Sequence, residues 1–339
     1  MDSMMNNRLL RATKRALQPE NLLGGHPLLR GGALIFSVVF LFLGLALGTA
    51  DARAGSTNDA GTALAETRAE PTASLGLPLP TEVNERVEYW MERFSTDERV
   101  AFEGLLAREG LYSEMIRTKL AERGMPEELI YLAMIESGFT ADARSHVAAT
   151  GMWQFMRGTA RAYGLRVDAY VDERRDPIRA TDAALAYLAR LHERYGSWYL
   201  AAAAYNAGPS RVSRALRRHA SASEGDEALY WEIVDHLPRE TANYVPRLLA
   251  ATRLARSSAA RGFEFEPASP YAFDVVWAPG GTALATVAEG LQIDVAEVRG
   301  LNPHLIRGIT PPGGAFALRV PVGTATAVVA ALGPARRAD

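Results

Sequence analysis

The stretch "ELIYLAMIESGFTADARSHVAATGMWQFM", residues 128 to 156, decides how this chain is read. Seven apolar or aromatic side chains run from Leu129 to Ile135 and end on Glu136, followed by Ser137 and Gly138. Pro126 before the run and Gly138 after it predict a helix over 127–137, with the glycine as its C-terminal cap. A carboxylate beside an apolar core is costly unless it is paired, hydrated or used. The partial negative charge at a helix C-terminus disfavours a second anion there. Apolar neighbours add a desolvation cost. Both effects raise the pKa of Glu136, towards an acid that keeps its proton near neutral pH, and such a group suits general acid catalysis. Taken alone, the same letters also describe an exposed glutamate at a helix end.

Working outward, the pattern is helical on both sides. Val83, Val87, Trp90, Met91 and Phe94 form one apolar stripe at helical spacing. Amphipathic stretches follow near 100–108 and 112–123, and further helices are expected at about 156–163, 177–195, 198–207, 209–219 and 239–256. Strand-like segments are nearly absent before residue 270, so 82–262 reads as one mainly α domain. The character then changes. "AFDVVWA" alternates as a strand does, "APGGT" turns it, two short helical pieces follow, and "FALRVPV" is a second strand. A small βααβ domain is expected over 271–322, with 323–339 as a tail.

The N-terminal third carries no such pattern. Residues 33–50, "ALIFSVVFLFLGLALGTA", contain no charge, and 18 helical residues make roughly 27 Å, enough to cross a bilayer. The basic segment 1–32 places Arg8, Arg11, Lys14, Arg15 and Arg30 before that run. The positive-inside tendency then keeps this end cytoplasmic and exports the rest to the periplasmic side. The run is either an uncleaved inner-membrane anchor or a signal h-region, since "ADARAG" offers small-x-small cleavage sites. Residues 51–81, rich in Ala, Gly, Thr, Ser and Pro, read as a flexible linker.

Composition removes several chemistries. The chain has 339 residues, 48% apolar and 22% charged, with a formal net charge of −2, so nothing global points to nucleic acid. It has no cysteine, which excludes disulfides, thiolate nucleophiles and Cys-bound metal. There is no HExxH, no G-x-S-x-G, no Walker loop and no G-x-G-x-x-G, so neither a metal nor a cofactor is expected.

Five segments in order add a resemblance: "IESGF" (135–139), "GMWQFM" (151–156) with Thr159, "DERRDP" (172–177), "AAYNAG" (203–208) and "LPRETANYVP" (237–246). Across about 85–260 the chain resembles the lytic transglycosylases of the goose-type-lysozyme-like (SLT) class, most closely their membrane-bound type D members. The resemblance implies a lysozyme-like helical catalytic domain and peptidoglycan glycan strands as partner. It implies cleavage of the β-1,4 bond between N-acetylmuramic acid and N-acetylglucosamine without water, leaving a 1,6-anhydro end. Glu136 would be the single acid and base. Ser137, Ser145, Gln154, Met156, Tyr205, Asn206, Glu240 and Tyr244 would line the substrate groove. Tyr205 matches the family tyrosine that hydrogen-bonds the acid, and Asp172 and Asp176 are expected to brace loops.

For these residues the plainer readings stay open: a turn for Ser145, core packing for Met156, Trp153 and Phe155, helix-end chemistry for Asn206 and a surface cap for Glu240. Two departures stand out. The family usually has Gly-Ala-x-Gly before its Trp-Gln pair, and here Ala148 occupies the first glycine place of "AATG". The cysteine of lipid-anchored members is missing, so anchoring would fall to residues 33–50. The unit at 271–322 resembles a degenerate LysM module, either a weak glycan binder or purely structural. A silent wall-binding protein and a hydrolytic muramidase are the alternatives to the transglycosylase.

Overall fold

The computed structural model of the protein describes residues 79–332. The basic segment 1–32, the apolar run 33–50 expected as an anchor or signal segment, and nearly all of the linker lie outside the described residues. Among the described residues no helix is long and apolar enough to cross a membrane.

The chain enters with Asn84, whose side chain accepts hydrogen bonds from the amides of Arg86 and Val87 at 3.1 and 3.2 Å and starts α1, Glu85–Ser95. The two stretches expected near 100–108 and 112–123 are a single helix, α2, Arg99–Glu122. Gly110 sits inside it and does not end it. A Cβ there would lie 2.5 Å from the Ala268 carbonyl oxygen, and the Ala268 amide donates to the Ala107 carbonyl at 2.8 Å. The glycine lets a later strap of chain touch the helix backbone.

The helix expected over 127–137 is a 3-10 turn, Glu127–Leu129, followed by α3, Ile130–Ser137. Gly138 caps it at φ 60°, and all of Ile130 to Glu136 is buried. The helix expected near 156–163 is α4, Arg157–Ala162, with Met156 at its N-cap. Asp176 caps α5, Pro177–Tyr195, accepting from the amides of Ile178 and Arg179 at 2.9 and 3.2 Å. Ser197 caps α6, Trp198–Ala207, and α7 is Pro209–His219. A short α8, Ala228–Ile233, was not expected from the sequence.

The last long helix, α9, Arg239–Arg256, passes through Pro246 without ending. Proline has no amide to give the Ala242 carbonyl. Tyr230, fully buried, supplies the missing donor through its hydroxyl at 3.0 Å. α9 packs on α1, α3 and α6 around one apolar core.

The C-terminal unit has its own core. Strands β1, Asp274–Ala278, and β2, Phe316–Val320, pair antiparallel with Val276 opposite Leu318. Between them lie α10, Leu284–Leu291, and α11, Val295–Leu301. Residues 325–332, expected as tail, form α12, Ala325–Leu332, with Val328 buried against β1 and α10. A helix of eight mostly small apolar residues gave no contrast of faces to read.

Candidate active site

Glu136 stands in the last turn of α3, 7% exposed. Tyr244, on α9, donates its hydroxyl to Glu136 Oε1 at 2.6 Å. Burial pushes the Glu136 pKa up from 4.5 to about 7, and the Glu240 carboxylate adds to the rise. The Tyr244 hydrogen bond and the Arg247 charge oppose it. Three side chains of α9 thus face the acid at helical spacing: Glu240, Tyr244 and Arg247. Arg247 also stacks its guanidinium 5.0 Å from the Trp90 ring centroid. No motif in the sequence pointed to Arg247, and only its place seven residues after Glu240 could have suggested it.

The tyrosine expected to hold the acid does not. Tyr205 Oη donates to the Trp153 carbonyl at 2.8 Å. Tyr244 takes that role because α9 runs directly over the end of α3. Tyr205 remains in the field of Glu136, and burial with that charge holds its hydroxyl protonated well above the usual range. Asn206, beside it on α6, joins the second carboxylate: Nδ2 donates to Glu240 Oε1 at 3.1 Å, and Oδ1 accepts from Thr241 Oγ1 at 2.8 Å.

The loop 139–156 packs beside the end of α3. Ser137 ties it to the helix, donating to the Met152 carbonyl at 2.7 Å and accepting from the Thr140 amide at 3.2 Å. Ser145 is a turn residue whose Oγ accepts from the Ala149 amide at 3.1 Å. Thr150 pairs with both Arg144 and Phe155. Gln154 sits at φ 49°, half-buried, with Nε2 on the Gly151 carbonyl at 2.8 Å. Met156 is half-buried at the loop's end. Trp153 and Phe155 are core residues; the Trp153 indole donates to Thr181 Oγ1 at 2.9 Å. Ala148 does occupy the left-handed region, at φ 63°.

One clamp holds this loop. Arg174 Nη1 donates to the carbonyls of Ala148 and Phe155 at 3.0 and 3.1 Å. Asp172 grips the same guanidinium through Nε and Nη2 at 2.9 and 2.7 Å. Gly151 lies so close that a Cβ would fall 1.7 Å from the Arg174 carbonyl oxygen. The bracing expected of Asp172 is therefore exerted through Arg174, a residue the sequence reading did not single out.

Comparison with known proteins now bears on this geometry. Residues 114–227 match the Transglycosylase SLT domain, and residues 272–336 match the LysM-like domain of lytic transglycosylase MltD. The chain carries an SLT transglycosylase domain followed by an MltD-type LysM-like domain. The SLT match contains Glu136, Gln154 and Tyr205 but ends before Glu240 and Tyr244, which the fold brings to the acid.

Membrane-bound lytic murein transglycosylase D of Escherichia coli K12 is 33% identical over 193 residues, 56% of this chain and 42% of that protein. The putative tributyltin chloride resistance protein of Alteromonas sp. M-1 is 40% identical over 111 residues, 32% of this chain and 54% of that one. Peptidoglycan transglycosylase gp16 of Escherichia phage T7 is 37% identical over 120 residues, 35% of this chain and 8% of that one. The chain thus spans less than two thirds of each of these relatives. An inactive mutant of the lytic transglycosylase Slt from Pseudomonas aeruginosa, solved by X-ray, aligns at 29% identity over 43% of this chain and 24% of that one, with a TM-score of 0.35.

Proposed function

We propose that the protein is a peptidoglycan lytic transglycosylase that cuts the bond between N-acetylmuramic acid and N-acetylglucosamine and leaves a 1,6-anhydro end. The observation that carries the reading is a buried carboxyl with a pKa near 7, held by a tyrosine hydroxyl inside an SLT domain. Tyr244 donates to Oε1, which leaves Oε2 to carry the proton.

In the first half of the reaction Glu136 gives that proton to the bridging oxygen as the C1–O4 bond breaks. The leaving sugar departs as an alcohol, and the muramyl ring carries the positive charge. Glu136 is now a carboxylate, and the Tyr244 hydrogen bond stabilises it. It takes the proton of the C6 hydroxyl while that oxygen bonds C1. The acid returns to its starting form and no water is consumed. Ordinary glycosidases divide these tasks between two carboxylates. Here Glu240, the other carboxylate of the site, is engaged by Asn206.

The relatives' names point to an envelope enzyme, and we place the catalytic domain on the periplasmic side, at the membrane if residues 33–50 stay uncleaved. The test uses the full chain and its Glu136→Gln variant on purified sacculi, with soluble muropeptides counted by mass spectrometry. Loss of a general acid lowers the release rate by about 10²–10⁴-fold. Release from the variant at the parent's rate would remove Glu136 from the chemistry.

A further inference from the structure

Beyond the acid, a cleft of about 500 Å³ opens on the flank of the helical domain. Tyr163, the C-terminal cap of α4, and Tyr187 on α5 line it, together with Arg190, Glu193 and Arg194 of α5 and Pro209 at the start of α7. It is joined to the catalytic site by aromatic rings. Phe155, whose carbonyl the Arg174 clamp holds, lies 6.2 Å from Tyr205; Tyr205 lies 5.3 Å from Tyr187, and Tyr187 5.0 Å from Tyr163. α4 runs beside this row from Met156 at one end to Tyr163 at the other.

The arginines at the cleft have no carboxylate to pair with among the described residues. Arg190 and Arg194 stand one turn apart and exposed on α5. Among the described residues neither forms an ion pair. Arg194 Nη2 donates to Ser213 Oγ at 3.1 Å and the guanidinium carbon lies 5.4 Å from the Tyr195 ring centroid, so the head is held in place without an anionic partner. Glu193 lies between the two arginines, so the rim offers two cationic groups and one anionic group.

We propose that this cleft is a subsite for the stem peptide of a muramyl unit away from the bond being cut, with Arg190 and Arg194 pairing to its carboxylates. The inference rests on the peptidoglycan reading above but not on the reaction. Neutral N-acetyl sugars offer a guanidinium no charge. On a peptide-bearing strand the lactyl carboxyl is tied up as an amide, so the free carboxylates belong to the peptide attached through it. Guanidinium matches a carboxylate with two parallel hydrogen bonds. Glu193 is placed for the ammonium of a diamino acid in the same peptide. The tyrosines give the intervening sugar an apolar face to lie against.

The test measures binding, in the full chain carrying Glu136→Gln, to two soluble glycan preparations. One keeps its stem peptides; the other has been stripped of them by an amidase and its freed lactyl carboxylates capped as neutral methylamides. The parent binds the peptide-bearing strand about fivefold to tenfold tighter, as two partly exposed ion pairs allow. Adding Arg190→Gln and Arg194→Gln abolishes that preference, leaves binding of the stripped strand unchanged, and leaves the thermal midpoint in place. Restoring lysine at both positions recovers part of it. A parent that binds the two strands equally, a preference that survives the substitutions, or an equal loss on both strands overturns the subsite. A wild-type chain that releases nothing from sacculi while the preference holds would sink the transglycosylase reaction and leave the subsite standing.

Discussion

At the scale of single residues, the account turns on the proton of Glu136. The folded protein holds it to about pH 7, whereas the unfolded chain ionises near the ordinary value of 4.5. A carboxyl whose pKa is raised by folding costs stability as pH rises between those two values. Glu136→Gln removes that cost. Chemical denaturation should show no gain for the variant at pH 4 and a gain of up to about 3 kcal/mol above pH 7. Tyr244 acts in the opposite direction, since its hydrogen bond lowers the acid's pKa. In Tyr244→Phe the fall of kcat/KM at rising pH should move to higher pH, with a lower maximum. A limb that stays in place or moves down would mean that another group titrates. Ala148 makes a third residue-scale case. A non-glycine residue at φ 63° is strained, so Ala148→Gly should raise stability by about 1 kcal/mol in the same denaturation assay, without loss of activity.

At the scale of elements, the loop beside the end of α3 is held from outside. Arg174 and Asp172 are both buried, and Arg174 reaches the two ends of the 148–155 segment. Removing one partner of a buried pair is expensive, so Arg174→Ala should cost about 3–5 kcal/mol and release amide protection across 148–155 in hydrogen exchange. Protection unchanged in that segment would show that the clamp is dispensable.

The helices α5, α6, α7 and α9 were legible in the sequence to the residue, because caps such as Asp176, Ser197 and Gly208 mark their ends. The gap expected between 108 and 112 is absent, and Gly110 within it makes room for Ala268 from the far side of the sequence. The site was legible in part. Glu136 and Gly138 announce themselves locally, and Tyr244 and Glu240 came from the resemblance. Which tyrosine reaches the acid depends on the crossing of α9 over α3, a long-range fact that spacing within one segment does not carry. Arg174 and Arg247 were missed because their partners are backbone carbonyls and charges distant in the chain.

At the scale of the whole described molecule, the LysM-like unit is built into the helical domain. Val171, from the loop that carries Asp172 and Arg174, is 1% exposed and belongs to the core of the C-terminal unit. The Asp172 amide donates to the His304 carbonyl at 2.9 Å, and the Ile306 amide to the Tyr170 carbonyl at 3.1 Å. Asp176 caps α5 with Oδ1 and accepts from Arg319 Nη2 with Oδ2 at 2.7 Å. The same loop therefore holds the 148–155 segment on one side and packs on the LysM-like unit on the other. Arg319→Ala should loosen residues 168–176 in hydrogen exchange and lower the release of muropeptides from sacculi.

The central claim is that Glu136 alone carries the proton and that no water enters. The most direct measurement runs the full chain on purified sacculi in water enriched in oxygen-18 and weighs the released muropeptides. The account predicts 1,6-anhydro-muramyl ends that carry none of the heavy isotope. Reducing ends with oxygen-18 at C1 would contradict it, and would make a second carboxylate, Glu240 first, the base that activates water.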